Sequence, residues 1–192
     1  MKDTIKELKK EIKRLRALID YDFLTGLYNR QGFIRESEKF LQEIKKERKF
    51  KERRKIALRF FSLIFIDIDD LKKINDDNGH QAGDRVLKMA ANIFKKSVRK
   101  IDIVGRWAGD EFVIGLIDAD EKIAIKIAKK IRKNLKKTKI RGRKLSASFG
   151  VITVSNGEIK RNLLNLNSLV KKADKAMYEV KKKNKGFVAI YQ

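Results

Sequence analysis

The run from Ile56 to Ile68, IALRFFSLIFIDI, is almost continuously apolar and aromatic. A segment of that kind fits a strand buried on both faces, which requires helices above and below the sheet. The run ends in acid: Asp67, Asp69 and Asp70 stand where the strand emerges, and alternation puts Asp67 and Asp69 on one face. Asp69 or Asp70 would most simply cap the helix that follows. Asp67 is different, because an acid still inside the apolar run needs a cation or a strong donor to offset its desolvation.

A second acidic pair lies at Arg106-Trp107-Ala108-Gly109-Asp110-Glu111-Phe112. Strands are expected from Ile101 to Trp107 and from Phe112 to Ile117, so Ala108-Gly109 would be the turn of a β-hairpin with Asp110 and Glu111 at its tip. A turn with almost no side chain lets a large anion approach backbone N–H groups. Carboxylates beside it can hold the cations such an anion needs.

The other elements follow from periodicity. Residues 1–19 carry Ile5, Leu8, Ile12, Leu15 and Ile19 at alternating spacings of three and four, the seam of a two-stranded coiled coil or the apolar side of a helix lying on its own domain. Asn29 is a candidate N-cap for a helix to about Phe50, with a charged loop from Glu47 to Lys55. A short helix from Leu71 stops at Asn78-Gly79, and another spans Asp84 to Lys100. His80, the single histidine, falls in the turn between them and reads as structural, since no serine or cysteine arrangement accompanies it. Glu121 to Lys137 is an amphipathic helix. Lys144 to Ser155 is a strand in which Gly150 marks a bulge or a close backbone approach. A helix from Leu163 to Lys183 and a strand from Phe187 to Tyr191 complete the order. The class is α+β, an α/β sandwich with a central mixed sheet flanked by helices and preceded by an N-terminal helix.

Composition narrows the chemistry. With 192 residues the chain is one domain plus a modest extension, and without cysteine it offers no disulfide, zinc-thiolate site or thiol nucleophile, which makes an intracellular, cytoplasmic setting the default. No apolar run reaches the length of a membrane span. A formal charge of +24 admits nucleic acid, membrane surfaces or polyphosphates as partners, but the basic residues are spread along the chain rather than clustered with aromatics.

Four blocks in one order resemble the GGDEF domain, the diguanylate cyclase family: Asp22-Phe23-Leu24-Thr25-Gly26-Leu27-Tyr28-Asn29-Arg30; Asp67-Ile68-Asp69 running through Asn75-Asp76 and Gly79-His80 to Gly83-Asp84; the hairpin, with Ala108 where the signature has its first glycine; and Ala173-Asp174-Lys175-Ala176-Met177-Tyr178. The resemblance covers about residues 20–192. It implies a domain over 21–192 behind a signalling helix over 1–20, and a sheet like the palm of nucleotidyl cyclases and polymerases. It further implies a homodimer that joins two GTP molecules into cyclic di-GMP and pyrophosphate by 3′-hydroxyl attack on an α-phosphate.

By the same resemblance, Asp67, Asp110 and Glu111 are catalytic, and with the Ile68 carbonyl they would hold two Mg²⁺ ions, or Mn²⁺ in their place. Asn75 and Asp84 would read the guanine edge, an acid suiting the neighbouring N1–H and amine donors. Ala108 and Gly109 would line the phosphates, with Lys181 and Lys185 reaching the triphosphate. Lys185 stands where arginine is usual and so lacks a bidentate fork. Should Ala108 need a positive φ, its side chain would strain the turn by roughly 1 kcal/mol. Arg99 and Asp102, an Arg-x-x-Asp ahead of the signature, would form a product-inhibition site, or else a plain ion pair at a helix end. Two other functions stand beside this one: a catalytically silent domain that binds cyclic di-GMP and acts on a partner, and a basic nucleic-acid-binding domain, which the lack of a clustered patch disfavours.

Overall fold

The computed structural model describes residues 19–45, 58–140, 142–160 and 165–191, together with Thr4, Ile5, Glu7, Leu8, Glu11 and Leu15. In chain order the elements are α1 (Arg30–Lys45), β1 (Phe60–Ile68), α2 (Leu71–Asn78), α3 (His80–Ser97), β2 (Ile103–Ala108) and β3 (Glu111–Ile117), then α4 (Glu121–Lys137), β4 (Lys139–Ile140), β5 (Arg143–Lys144), β6 (Ala147–Ser155), α5 (Asn156–Lys160), α6 (Leu166–Lys183) and β7 (Val188–Ile190).

Five strands form one sheet in the order β2-β3-β1-β6-β7, antiparallel except for the β6–β7 pair. β1 is central and fills two cores at once. Ile64, Ile66 and Ile68 pack with Val86, Phe94, Ala128 and Ile131 of α3 and α4. Phe61, Leu63 and Phe65 pack with Phe33 of α1 and Leu169, Val170 and Met177 of α6. The six β1 side chains are each at most 2% exposed and each contributes about 2 kcal/mol through removal of apolar area from water. The doubly covered strand expected from composition is therefore present, and helices on both faces are what cover it.

Local signals set the boundaries. Asn29 caps α1, its Oδ1 accepting from Gly32 N–H at 2.9 Å. Gly79, at φ 78° and ψ 161°, separates α2 from α3, so α3 begins at His80 rather than Asp84 and His80 is an exposed first-turn residue. Gly150 marks a close approach: a Cβ there would run into the Ala173 carbonyl and the Met177 N–H of α6. The strand expected from Lys144 to Ser155 is split, because β5 pairs with β4 in a separate ribbon. The ribbon and α5 are too short to leave a periodic signal.

The end of α1 toward Phe50, the Glu47–Lys55 loop, the start of the Ile56 run and the beginning of the Leu163 helix fall partly or wholly outside the described residues, as does Ile12. The described seam positions Ile5, Leu8, Leu15 and Ile19 are about half exposed, at 49%, 58%, 48% and 54%. Those described positions are not buried against the domain. No helix among the described residues is long and apolar enough to cross a membrane.

Candidate active site

One edge of the sheet collects the acids, and antiparallel pairing is the reason. β1 ends where β3 begins, so Asp67 lies opposite Glu111 and the Ile68 N–H donates to the Asp110 carbonyl at 3.1 Å. α6 delivers Lys181 to the same place, where Nζ donates to Asp67 Oδ1 at 2.5 Å. The sequence requirement that Asp67 find a cation is met by this lysine. Burial pushes the Asp67 carboxyl above the usual carboxylate range against the pull of Lys181, with Asp110 and Asp69 adding to the rise. Glu111 is raised likewise, first by burial and then by Asp174, Asp67 and Asp110. Mutually repelling hard oxygens on adjacent strands are the donor chemistry of a divalent-cation site. Among the described residues, no three acidic or imidazole side chains already converge as a closed cage, and the Lys181 ammonium holds one of the Asp67 oxygens.

The hairpin turns one residue later than expected. Ala108 still pairs with Glu111 as the last rung, a register shift between Arg106 and Ala108 having absorbed Trp107, and Gly109-Asp110 makes the turn. Gly109 takes the positive φ of 45°, whereas among the described non-glycine residues only Asp70 and Asp118 have one. Ala108 is thus an exposed strand residue without backbone strain, and nothing lies within 4 Å of where a Cβ on Gly109 would project. Arg106 braces the turn: Nε donates to the Gly109 carbonyl at 2.9 Å and Nη1 donates to Asp22 Oδ2 at 3.2 Å. Asp22 in turn accepts from both the amide and the hydroxyl of Thr25. Its carboxyl lies below the ordinary range because Thr25 and Arg106 outweigh burial, the largest single effect and one that acts upward.

The strand-end acids do not cap α2. Asp70 occupies the N-cap position at φ 59°, but its side chain makes no capping bond and accepts instead from Lys185 Nζ at 2.7 Å. That bond holds the Asp70 carboxyl low. Asp69 is buried and faces two serines at the start of β6, Ser146 just before it and Ser148 within it. Nearby, Asn75 is packed so closely on α3 that a Cβ on Gly83 would overlap its side chain, and its buried Oδ1 has no partner. Asp84, the next residue along α3, is exposed. Asn75 thus lies against Gly83, the residue before the exposed Asp84, and its unpartnered Oδ1 is buried at the contact between α2 and α3.

Arg99 and Asp102 close on each other. Asp102 Oδ1 accepts from Arg99 Nη2 at 2.9 Å and from the Ile117 N–H at 3.1 Å, and its side chain is 0% exposed against 54% for Arg99. The pair lies in a pocket of about 420 Å³ lined also by Tyr21, Tyr28 and Lys95. Only the arginine presents itself to solvent.

The family model described as the diguanylate cyclase GGDEF domain matches residues 19–186. The chain belongs to the GGDEF family. Diguanylate cyclase A of Treponema denticola is 37% identical over 133 residues, covering 67% of this chain and 34% of its own length. Diguanylate cyclase DosC of Escherichia coli is 32% identical over 194 residues, covering 98% of this chain and 38% of its own. The chain thus spans about a third of the length of these curated relatives. The coiled coil and GGDEF domain of DgcB from Caulobacter crescentus, solved with c-di-GMP, matches at a TM-score of 0.79 and 21% identity, with 98% of this chain and 94% of that chain covered. At that identity the likeness is one of fold, and the α+β sandwich with its mixed sheet is the GGDEF fold.

Within this GGDEF domain, sequence reasoning overlooked the Asp22–Arg106 brace, the serines around Asp69 and the Asp174 charge acting on Glu111. Asp22 had a readable signal, an acid three residues before a threonine that can close a turn on it. Ser146 and Ser148 had none, because contact between residues so far apart in sequence exists only once β1 and β6 pair.

Proposed function

We propose that the chain is a diguanylate cyclase. The observation that carries this reading is the Asp67–Glu111 rung beside the Gly109-Asp110 turn, with Lys181 and Lys185 reaching the same edge. The relatives named diguanylate cyclase support it. Asp67, the Ile68 carbonyl, Asp110 and Glu111 would hold two divalent cations, Mg²⁺ or Mn²⁺. Such ions, when bound, neutralise a triphosphate and lower the barrier to deprotonating a hydroxyl.

The residues themselves do the rest. The Asn75 side-chain amide and the Asp84 carboxylate supply the kind of groups that suit the adjacent N–H donors of guanine. Gly109 leaves the turn open for phosphates to approach its amides. Lys181 and Lys185 exchange their carboxylate partners for phosphate oxygens. Each domain holds one GTP, so two domains must face each other before a 3′-hydroxyl of one can meet the α-phosphate of the other. Residues 21–192 act as the catalytic domain, and the helix over 1–20 pairs with that of a second copy in the cytoplasm, its exposed seam being the surface available for this.

The exposed Arg99 guanidinium at a pocket of about 420 Å³ supports product inhibition, and also a second reading in which the domain binds cyclic di-GMP without making it. One assay separates them. Purified protein incubated with GTP and Mg²⁺ should yield cyclic di-GMP by chromatography, while Asp67→Asn and Glu111→Gln should not. An absence of product from the wild type at concentrations where it is dimeric would leave the binding reading in place of the enzyme. Titration of cyclic di-GMP into wild type and Arg99→Ala tests the second site, and equal affinities would remove Arg99 from it.

A further inference from the structure

Asp69 follows the last residue of β1 but belongs to a different network from Asp67. Ser146 Oγ donates to Asp69 Oδ2 at 2.6 Å and Ser148 Oγ donates to Oδ1 at 2.8 Å, while the Asp69 N–H donates to the Ser146 carbonyl at 3.0 Å. Ser148 Oγ also accepts from the Gly186 N–H at 3.1 Å. The polarity of this chain of bonds is fixed. An amide can only donate, so the Ser148 hydroxyl accepts from Gly186 and must give its own proton to a carboxylate that can only accept. Asp69 and Ser148 are 4% and 0% exposed, so water cannot easily replace either partner, and loss of the hydroxyl strands both a buried N–H and a buried carboxylate oxygen.

Gly186 is held from its other side as well. Its carbonyl accepts from Arg132 Nε of α4, whose guanidinium lies 4.5 Å over the Phe187 ring. At φ +76° the glycine also tucks against Ser146, where a Cβ would collide with the hydroxyl. Both peptide groups of Gly186 are therefore pinned, one through Asp69 and Ser148 and one through Arg132. The residue before it is Lys185, whose ammonium reaches back to Asp70.

We propose that Asp69 and Ser148 are positioning residues that seat the loop at Gly186 and so place the Lys185 ammonium for the phosphates of a bound nucleotide. The assignment rests on the nucleotide reading above. Asp69 then does its work at the far end of a hydrogen-bonded relay rather than on a cation.

A double-mutant cycle tests this on the full chain, with a non-hydrolysable GTP analogue and Mg²⁺ in calorimetry. Ser148→Ala should weaken analogue binding about tenfold, and in a Lys185→Ala background it should add no further loss, since the group it positions is gone. Asp69→Asn, which keeps the volume but replaces one acceptor oxygen with an N–H donor, should show the same coupling and serves if Ser148→Ala does not fold. In turnover, Ser148→Ala should raise KM for GTP more than it lowers kcat. An equal fold-loss with and without Lys185 would overturn the relay and leave Ser148 a residue of general packing. Wild-type protein that binds no analogue would instead remove the nucleotide reading, and the relay with it.

Discussion

Asp67 and Glu111 both titrate above the ordinary carboxylate range, each chiefly because of burial. A carboxylate raised in the folded state stabilises the fold only while protonated. That contribution is complete below the unfolded value of about 4 and is lost as pH rises through the folded value. At neutral pH both acids therefore weigh against stability. Glu111→Gln should raise Tm by about 1–3 °C at pH 7 while abolishing product, with the gain shrinking toward pH 4. Thermal scans at the two pH values check it. Because cation binding needs both groups ionised, the acid limb of the pH–activity profile should fall above the usual carboxylate value, which initial rates across pH 4–7 would show. A third residue, Arg106, ties the turn to Asp22. Arg106→Ala should cut turnover about tenfold by freeing the Gly109 carbonyl. A drop in activity no larger than the accompanying loss of folded protein would count against it.

Among the elements, β1 was the most legible in sequence, because an unbroken apolar run has one inexpensive explanation in a layered fold. Gly150 was equally readable. Its replacement by alanine should cost about 3 kcal/mol and lower Tm by roughly 5–10 °C, since the backbone of α6 cannot withdraw from β6 without opening one of the two cores. The hairpin was readable in kind but displaced by one residue, because a bulge at Trp107 leaves no mark in the hydrophobic pattern. The helix after β1 was expected to be capped by an acid that in fact pairs with Lys185 across the fold. Propensity assigns Asp to caps, but a cation brought close by tertiary structure outbids a local amide.

At the scale of the whole molecule, the acids of the site were visible as separate motifs, while their convergence was not. Asp67, Glu111, Lys181 and Lys185 meet because one end of the sheet gathers the end of β1, the start of β3, the last turn of α6 and the residues just after it. The reaction, as proposed, cannot be completed within one copy. Specific activity should therefore rise with protein concentration through the dimerisation range, and replacing Leu8 and Leu15 of the exposed seam with lysine should move that range upward. Activity per molecule that stays constant on dilution into the monomeric range, followed by sedimentation, would refute the requirement.

The two lysine–aspartate contacts at this edge bear on timing. The Lys185–Asp70 pair is half exposed, so releasing Asp70 calls only for rotamer changes of picoseconds to nanoseconds, with β1 itself unmoved, whereas the Lys181–Asp67 pair is mostly covered. The outer contact can accordingly open faster than the inner one, so a ligand reaching this end of the strands would displace Lys185 before Lys181.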